Sequence, residues 1–480
     1  MPPLLTPDIC VIGAGSGGLS VAAAAAAFGV EVVLVERGAM GGDCLNTGCV
    51  PSKALIAAAR HAEAIREAAA FGVEAGPVRI DFARVRAHVR DVIDGIAPHD
   101  SQERFEGLGV KVIRAEARFT GPEAVSAGGF EIRARRFVVA TGSGPVLPPI
   151  PGLADVPVLT NESVFDLTAL PERLLVLGGG PIGLELAQAF RRLGSEVTVL
   201  EAERALGRED PDLARVALER IRRDGVSLRE GAKVERVERG PEGIVLSVAG
   251  PDGTERIAGS HLLVAAGRAP TTAGLDLERA GIAQDRRGIT VDRGLRTTNR
   301  RVYAIGDVAS VEGRGGLQFT HVAGYHAGLV VRSILFRLPV RENRDLLPRV
   351  TYTDPEVGQV GLTEAEARAR HGDGIRVLTV PMAASDRARA ERETDGLVKL
   401  VVTGKGRLLG AGAAGRNAGE LVNLWSLALA AGLTVRPVAG FVSPYPTVGE
   451  LARRAAIEFY RPTLASPWLR RVIRVLRIFG

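Results

Sequence analysis

The sequence predicts an α/β fold in which one strand–turn–helix–strand unit occurs twice. Three observations carry this. A turn of the form GxGxxG follows a short apolar run at Gly13 and again at Gly178. Each turn opens onto a helical pattern and then onto a second apolar run. In both copies that run ends on an acid 23 residues after the first glycine, at Glu36 and at Glu201.

In the first copy, Ile9-Cys10-Val11-Ile12 reads as a buried strand and Gly13, Gly15 and Gly18 form the turn. An alanine-rich stretch to Phe28 reads as helix, and Val32 to Val35 as the second strand. In the second copy, Leu174 to Leu177 is the strand and Gly178, Gly180 and Gly183 the turn. A helix to Leu193 and a strand from Val197 to Leu200 follow. The glycines let backbone approach a pyrophosphate, and the helix N-terminus offers it free N–H groups. Glu36 and Glu201 suit hydrogen bonds from an adenosine ribose. One such turn alone says little. Two in full context predict one bound flavin dinucleotide (FAD) and one exchanging nicotinamide dinucleotide.

A length of 480 residues suggests two to four domains, and 46% hydrophobic residues suffice for a full core. The net charge is +6, the basic residues are spread along most of the chain and aromatics make up only 4%, so no nucleic-acid partner is expected. Lysine occurs five times, which draws attention to Lys53. Three cysteines do not make a secreted disulfide scaffold. Met1 to Pro7 does not read as a signal peptide, and the apolar stretch Val21 to Val30 is too short to span a bilayer. A reducing, cytoplasmic compartment is expected.

Between the first unit and the next helix lies Gly41-Gly42-Asp43-Cys44-Leu45-Asn46-Thr47-Gly48-Cys49-Val50-Pro51-Ser52-Lys53. A glycine-rich turn can bring the two cysteines within disulfide reach. Pro51 suits the first turn of a helix running to about Ala70. A helix N-terminus favours the thiolate of a cysteine near it. Zinc needs four ligands, and no second cysteine pair or histidine cluster is nearby. No resident metal is expected.

This segment resembles the redox-active motif of the class I pyridine nucleotide–disulfide oxidoreductases, and the resemblance covers nearly the whole chain. Val138-Val139-Ala140-Thr141-Gly142 resembles the family's strand-end motif, and Ala265 to Pro270, with Gly267, its second copy. Thr298 through Asp307 resembles the second flavin motif, and Tyr352 to Val357 the start of the dimer-interface domain. The resemblance implies a C-terminal α+β dimerisation domain and a homodimer with each active site built across two subunits. It implies that Cys49 faces the flavin, that Cys44 meets the substrate, and that Lys53 pairs with Glu185 beside the flavin. Thr141, Gly142, Asp307 and, from the helix start after the second flavin motif, His321 are implied at the FAD. Gly178, Gly180, Gly183, Glu201 and Gly267 are implied at the nicotinamide dinucleotide. Glu201 favours NAD, because it repels a 2′-phosphate.

The expected layout is an FAD-binding domain from residues 1–150 and 271–345 and an NAD(P)-binding domain at 151–270. A dimer-interface domain follows at 346–460, with a basic tail at 461–480. In the tail, Arg470, Arg471, Arg474 and Arg477 recur at helical spacing opposite Leu469, Val472, Ile473, Leu476 and Phe479. Such a helix suits either the body of the dimer or an anionic membrane surface.

One departure from the family matters. Its glutathione and lipoamide enzymes carry an acid–base histidine, followed by Pro-Thr and then Glu. Here the segment is Ser443-Pro444-Tyr445-Pro446-Thr447-Val448-Gly449-Glu450, and no histidine follows His371. A phenol with a pKa of about 10 accepts protons poorly at neutral pH. Mercuric reductases also carry tyrosine there, but they add a C-terminal cysteine pair that this chain lacks. The predicted enzyme passes electrons from NAD(P)H through FAD to Cys44–Cys49, and on to a disulfide or metal ion. Tyr445 and Glu450 stand at the catalytic position. Alternatives are a dihydrolipoamide dehydrogenase-type enzyme, a membrane-surface NADH:quinone-type diaphorase, and a non-catalytic flavin redox sensor.

Overall fold

The computed structural model describes residues 2–241, 243–250, 253–464 and 466–479. It divides into two compact units, Met1–Ala202 with Arg229–Asn343, and Glu203–Leu228 with Arg344–Gly480.

In the first unit, strand Ile9–Ile12 lies at the centre of a five-stranded parallel sheet. It pairs with Val32–Glu36 on one side and Arg136–Val139 on the other. Lys111–Arg114 and Val302–Ala304 form the edges. The central strand is an unbroken apolar run because both of its faces are covered. Helices Ser16–Ala27 and Thr320–Leu335 pack side by side against the sheet. Phe119, Val125 and Ile132, from a small mixed sheet, join the same core. Each fully buried side chain of this size stabilises the fold by roughly 1.5–3 kcal/mol.

The second copy repeats the arrangement. Strand Arg173–Leu177 pairs in parallel with Glu196–Glu201 and with His261–Val264. Three antiparallel strands, Val234–Gly240, Gly243–Gly250 and Gly253–Gly259, lead into His261–Val264. Helix Pro181–Leu193 is buried along nearly its whole length, partly because helix Cys49–Glu67 packs on it. That packing brings the cysteine segment and the second copy together. Helix Cys49–Glu67 stops earlier than expected and gives way to a 3₁₀ turn, Ala68–Phe71.

The second unit is built on a five-stranded antiparallel sheet. Its order is Arg349–Thr351, Glu356–Gly361, Leu408–Gly415, Leu397–Thr403 and Ile375–Pro381. Helix Ala418–Ala430 packs on the sheet and buries Trp425. Helix Pro211–Arg223, from the sequence range expected in the nicotinamide domain, belongs to this unit. It is anchored by Lys399, whose Nζ lies 3.0 Å from Asp210, 2.8 Å from Asp212 and 2.8 Å from Glu364. Burial opposes the lysine's charge, but the hydrogen bonds to Asp212, Glu364 and Asp210 outweigh it and raise its pKa. The tail forms helix Pro467–Leu476. Among the described residues, no helix is long and apolar enough to cross a membrane.

Candidate functional site

Both glycine turns are built alike, atom for atom. Gly13 sits at φ +106° and Gly178 at φ +110°. A Cβ on Gly13 would lie 2.5 Å from the Ala140 carbonyl oxygen, and one on Gly178 2.4 Å from that of Ala265. Gly18 and Gly183 leave still less room, with a Cβ 1.9 Å from the Gly13 oxygen and 2.1 Å from the Gly178 oxygen. Gly15 and Gly180 are extended and cap helices Ser16–Ala27 and Pro181–Leu193. Neither helix has a side-chain cap or an acid in its first turn. Their first N–H groups and positive dipole ends therefore suit an anion. Glu36 Oε2 accepts from the Ala14 N–H at 2.6 Å, and Glu201 Oε2 from the Gly179 N–H at 2.7 Å. Each acid thus braces the turn it follows. These residues fit the pyrophosphates of FAD at the first turn and of a nicotinamide dinucleotide at the second.

Around the sheet ends, Thr141 Oγ1 donates to the Thr271 carbonyl at 2.6 Å and Gly142 adopts φ +66°. Gly267, at φ +138°, accepts from the Val146 N–H at 3.1 Å. Asp307 accepts from Ser143 Oγ at 2.7 Å, and Arg268 donates to the same hydroxyl at 2.9 Å. Burial raises the Asp307 pKa, and Ser143 and Arg268 offset part of that rise. The Gly306 N–H donates to Nδ1 of buried His326 at 3.2 Å. Sequence reasoning named Asp307 but not Ser143, Arg268 or His326.

The cysteine pair spans a break between two helices. Gly41 and Gly42 take positive φ and start a short helix, Gly42–Asn46, that carries Cys44. Gly48 then caps helix Cys49–Glu67, so Cys49 is its first residue. A Cβ on Gly48 would lie 2.8 Å from the Asp43 carbonyl oxygen, so only glycine fits that crossing. Both cysteines are free thiols, the reduced form of the pair. A hydrogen bond from Cys44 is the largest influence on Cys49, with help from Thr320 and the Lys53 charge against the cost of burial. The Cys49 pKa falls from 9.0 to about 6. The Cys44 pKa rises for the matching reason, since Cys44 holds the proton between them. Cys10 is buried in the central strand, and burial pushes its thiol up to about 12.

Lys53 Nζ lies 2.8 Å from Glu185 Oε2, as expected. Thr320 Oγ1 lies 3.4 Å from Cys49 Sγ, across 271 residues of sequence. The neighbouring His321 is exposed and stacks on Phe319 at 5.3 Å, so Thr320 is the residue of this helix start that touches the thiol. Asp43 holds the cysteine loop in place. Its carboxylate accepts from Asn161 Nδ2 at 3.0 Å and pairs with Arg268 at 3.2 Å. In the second unit, Tyr445 is 69% exposed and its hydroxyl donates to Asp386 Oδ2 at 2.9 Å. That hydrogen bond and the Asp386 charge raise the phenol's pKa. Glu450 opens helix Glu450–Glu458 and pairs with Arg454 at 3.1 Å.

Two dinucleotide cradles in one unit, with a thiol pair whose Cys49 opens the helix packed against the second, define a flavoprotein disulfide reductase. The chain belongs to the pyridine nucleotide-disulphide oxidoreductase family, whose model matches residues 7–327. The family's dimerisation domain matches residues 347–456 and indicates a homodimer. FAD and NAD(P)H are the family's cofactors. Among curated relatives, a mercuric reductase of Streptomyces lividans is 37% identical over 94% of this chain and 96% of its own length. A dihydrolipoyl dehydrogenase of Thermus scotoductus is 36% identical over 96% and 98%. A solved structure of the HOCl-induced flavoprotein disulfide reductase RclA from Escherichia coli is 31% identical. It superposes with a TM-score of 0.83 over 94% of this chain and 99% of that one. RclA has also been solved as a Cu(II) complex, with a TM-score of 0.82.

Proposed function

We propose that this enzyme uses NADH to reduce a soft metal ion at Cys44 and Cys49. FAD, which the turn at Gly13, Gly15 and Gly18 would hold, would supply the hydride-accepting and electron-pair-donating chemistry between the nicotinamide and the cysteines. The chain's own residues do the rest. The uncapped start of helix Pro181–Leu193 and Glu201 hold the nicotinamide dinucleotide, and Glu201 disfavours a 2′-phosphate. Lys53 and Glu185 fix the charge beside the thiol pair. Reduction cleaves the Cys44–Cys49 S–S bond and leaves Cys49 as thiolate and Cys44 as thiol. A divalent mercury ion bound by both sulfurs then takes two electrons and leaves as the neutral metal. The S–S bond re-forms and the Cys44 proton goes to water.

The observation that carries this choice of acceptor is Tyr445, held by Asp386. Dithiol–disulfide exchange needs a base to take the interchange thiol's proton. A phenol bonded to a carboxylate keeps its own proton and cannot serve. A soft metal ion needs no such base, because binding it to a thiol itself expels the proton. The relatives named mercuric reductase and the Cu(II) complexes of RclA support a metal ion as an acceptor. The test is Tyr445→His. On this reading the variant gains lipoamide or glutathione-disulfide reduction at neutral pH and gains nothing with Hg²⁺. A native enzyme that already reduces lipoamide as fast as Hg²⁺ contradicts it.

A further inference from the structure

The helix Pro467–Leu476 has two opposite faces. At 3.6 residues per turn, Trp468, Leu469, Val472, Ile473, Val475 and Leu476 share one side. Arg470, Arg471 and Arg474 occupy the other, and Arg477 continues that side past the helix end. None of the helix's residues is buried. Trp468 is 69% exposed, Leu476 60% and Phe479 83%. A helix of ten residues is marginal in water on its own, so its stability depends on a surface for the apolar face.

The distribution of charge says which surface. Residues 461–480 hold five arginines and no acid, while the whole chain carries only +6. The 460 residues before them therefore sum to +1. Neither the body of this chain nor a second copy offers the net negative charge that the tail matches. An anionic lipid leaflet does, and it also takes up the apolar side.

We propose that the tail docks the enzyme onto an anionic lipid surface. The helix lies in the interface, with Trp468, Val472 and Leu476 toward the acyl chains. The arginines reach back to the phosphates with their stems along the apolar boundary. The attraction to the leaflet is screened by salt within about a Debye length. With one short helix per chain, attachment is reversible.

The experiment uses the full-length, flavin-loaded enzyme and vesicles of phosphatidylcholine, alone or mixed with phosphatidylglycerol. Sedimentation measures partitioning, and tryptophan emission reports on Trp468. The other tryptophan, Trp425, is 1% exposed and gives a constant background. The enzyme is expected to sediment with phosphatidylglycerol vesicles, with a blue-shifted emission, and to be released by high salt. The variant R470Q/R471Q/R474Q/R477Q is expected to partition at least about tenfold less. Trp468→Ala is expected to weaken partitioning with the charge intact. Retained flavin absorbance shows that each variant is folded. Equal partitioning of the quadruple variant and the native enzyme overturns the proposal. So does equal binding to phosphatidylcholine alone, or a tail-dependent tetramer with no vesicle binding, which would make a second copy the tail's partner.

Discussion

Replacing Cys44 separates the causes of the low Cys49 pKa. With a pKa of about 6, Cys49 is roughly nine-tenths thiolate at pH 7. At the ordinary value of 9.0 it would be about one-hundredth ionised. The largest contribution is the hydrogen bond from Cys44, ahead of Thr320 and the Lys53 charge. Cys44→Ala removes that donor, while Cys44→Ser keeps one, because a serine hydroxyl still donates. The assay is the pH dependence of Cys49 alkylation by iodoacetamide. Both variants leave Cys49 as the reactive cysteine, since Cys10 is buried with a pKa of about 12. The midpoint is the readout, because a more basic thiolate is intrinsically more nucleophilic and blurs plateau rates. Cys44→Ser should titrate near 6, and Cys44→Ala at least about one unit higher. Burial, Thr320 and the Lys53 charge act on Cys49 in both variants, so the difference between them reports the Cys44 hydrogen bond. A midpoint near 6 in both variants would refute this account and assign the low pKa to the helix start and Lys53.

Four further outcomes are expected. Gly18→Ala forces a Cβ to 1.9 Å from the Gly13 oxygen and should yield protein without flavin absorbance. Gly183→Ala, with its clash at 2.1 Å, should keep the flavin but bind NADH poorly, seen as a raised KM. Glu185→Ala removes a carboxylate 2.8 Å from Lys53, whose side chain is 35% exposed against 6% for Glu185. Urea unfolding should show a loss of about 1–3 kcal/mol, discounted for that exposure, together with slower flavin reduction. Stopped-flow reduction should be faster with NADH than with NADPH, and Glu201→Ala should narrow the gap.

The two dinucleotide units were legible because their requirements are local. Positive φ at Gly13 and Gly178 and the missing Cβ at Gly18 and Gly183 follow from neighbours within one turn or one parallel strand. The cysteine loop was legible for the same reason, since Gly48 must let two helices cross. Contacts made by distant segments were not. Thr320 meets Cys49 only because helix Thr320–Leu335 packs beside helix Ser16–Ala27. Sequence pattern located that helix start but singled out His321, the more conspicuous side chain one residue on. Ser143, Arg268 and Asp307 meet because two three-residue strands, Ser143–Pro145 and Arg268–Pro270, pair across the sheet ends. Elements that short carry no periodicity to read. Lys399 shows the same limit. Nothing near it in sequence announces the three carboxylates that gather helix Pro211–Arg223 into the second unit.

The missing histidine was visible in the sequence, but Asp386 was not, and its hydrogen bond and charge raise the phenol's pKa further. The direct test of the proposed acceptor is NADH consumption by the native enzyme at neutral pH, with Hg²⁺, Cu²⁺, lipoamide and glutathione disulfide compared side by side. Metal-ion turnover that disappears in Cys44→Ala and Cys49→Ser, alongside slow turnover of both disulfides, is the predicted result. Rapid lipoamide turnover, or metal-ion turnover indifferent to both cysteines, would contradict it.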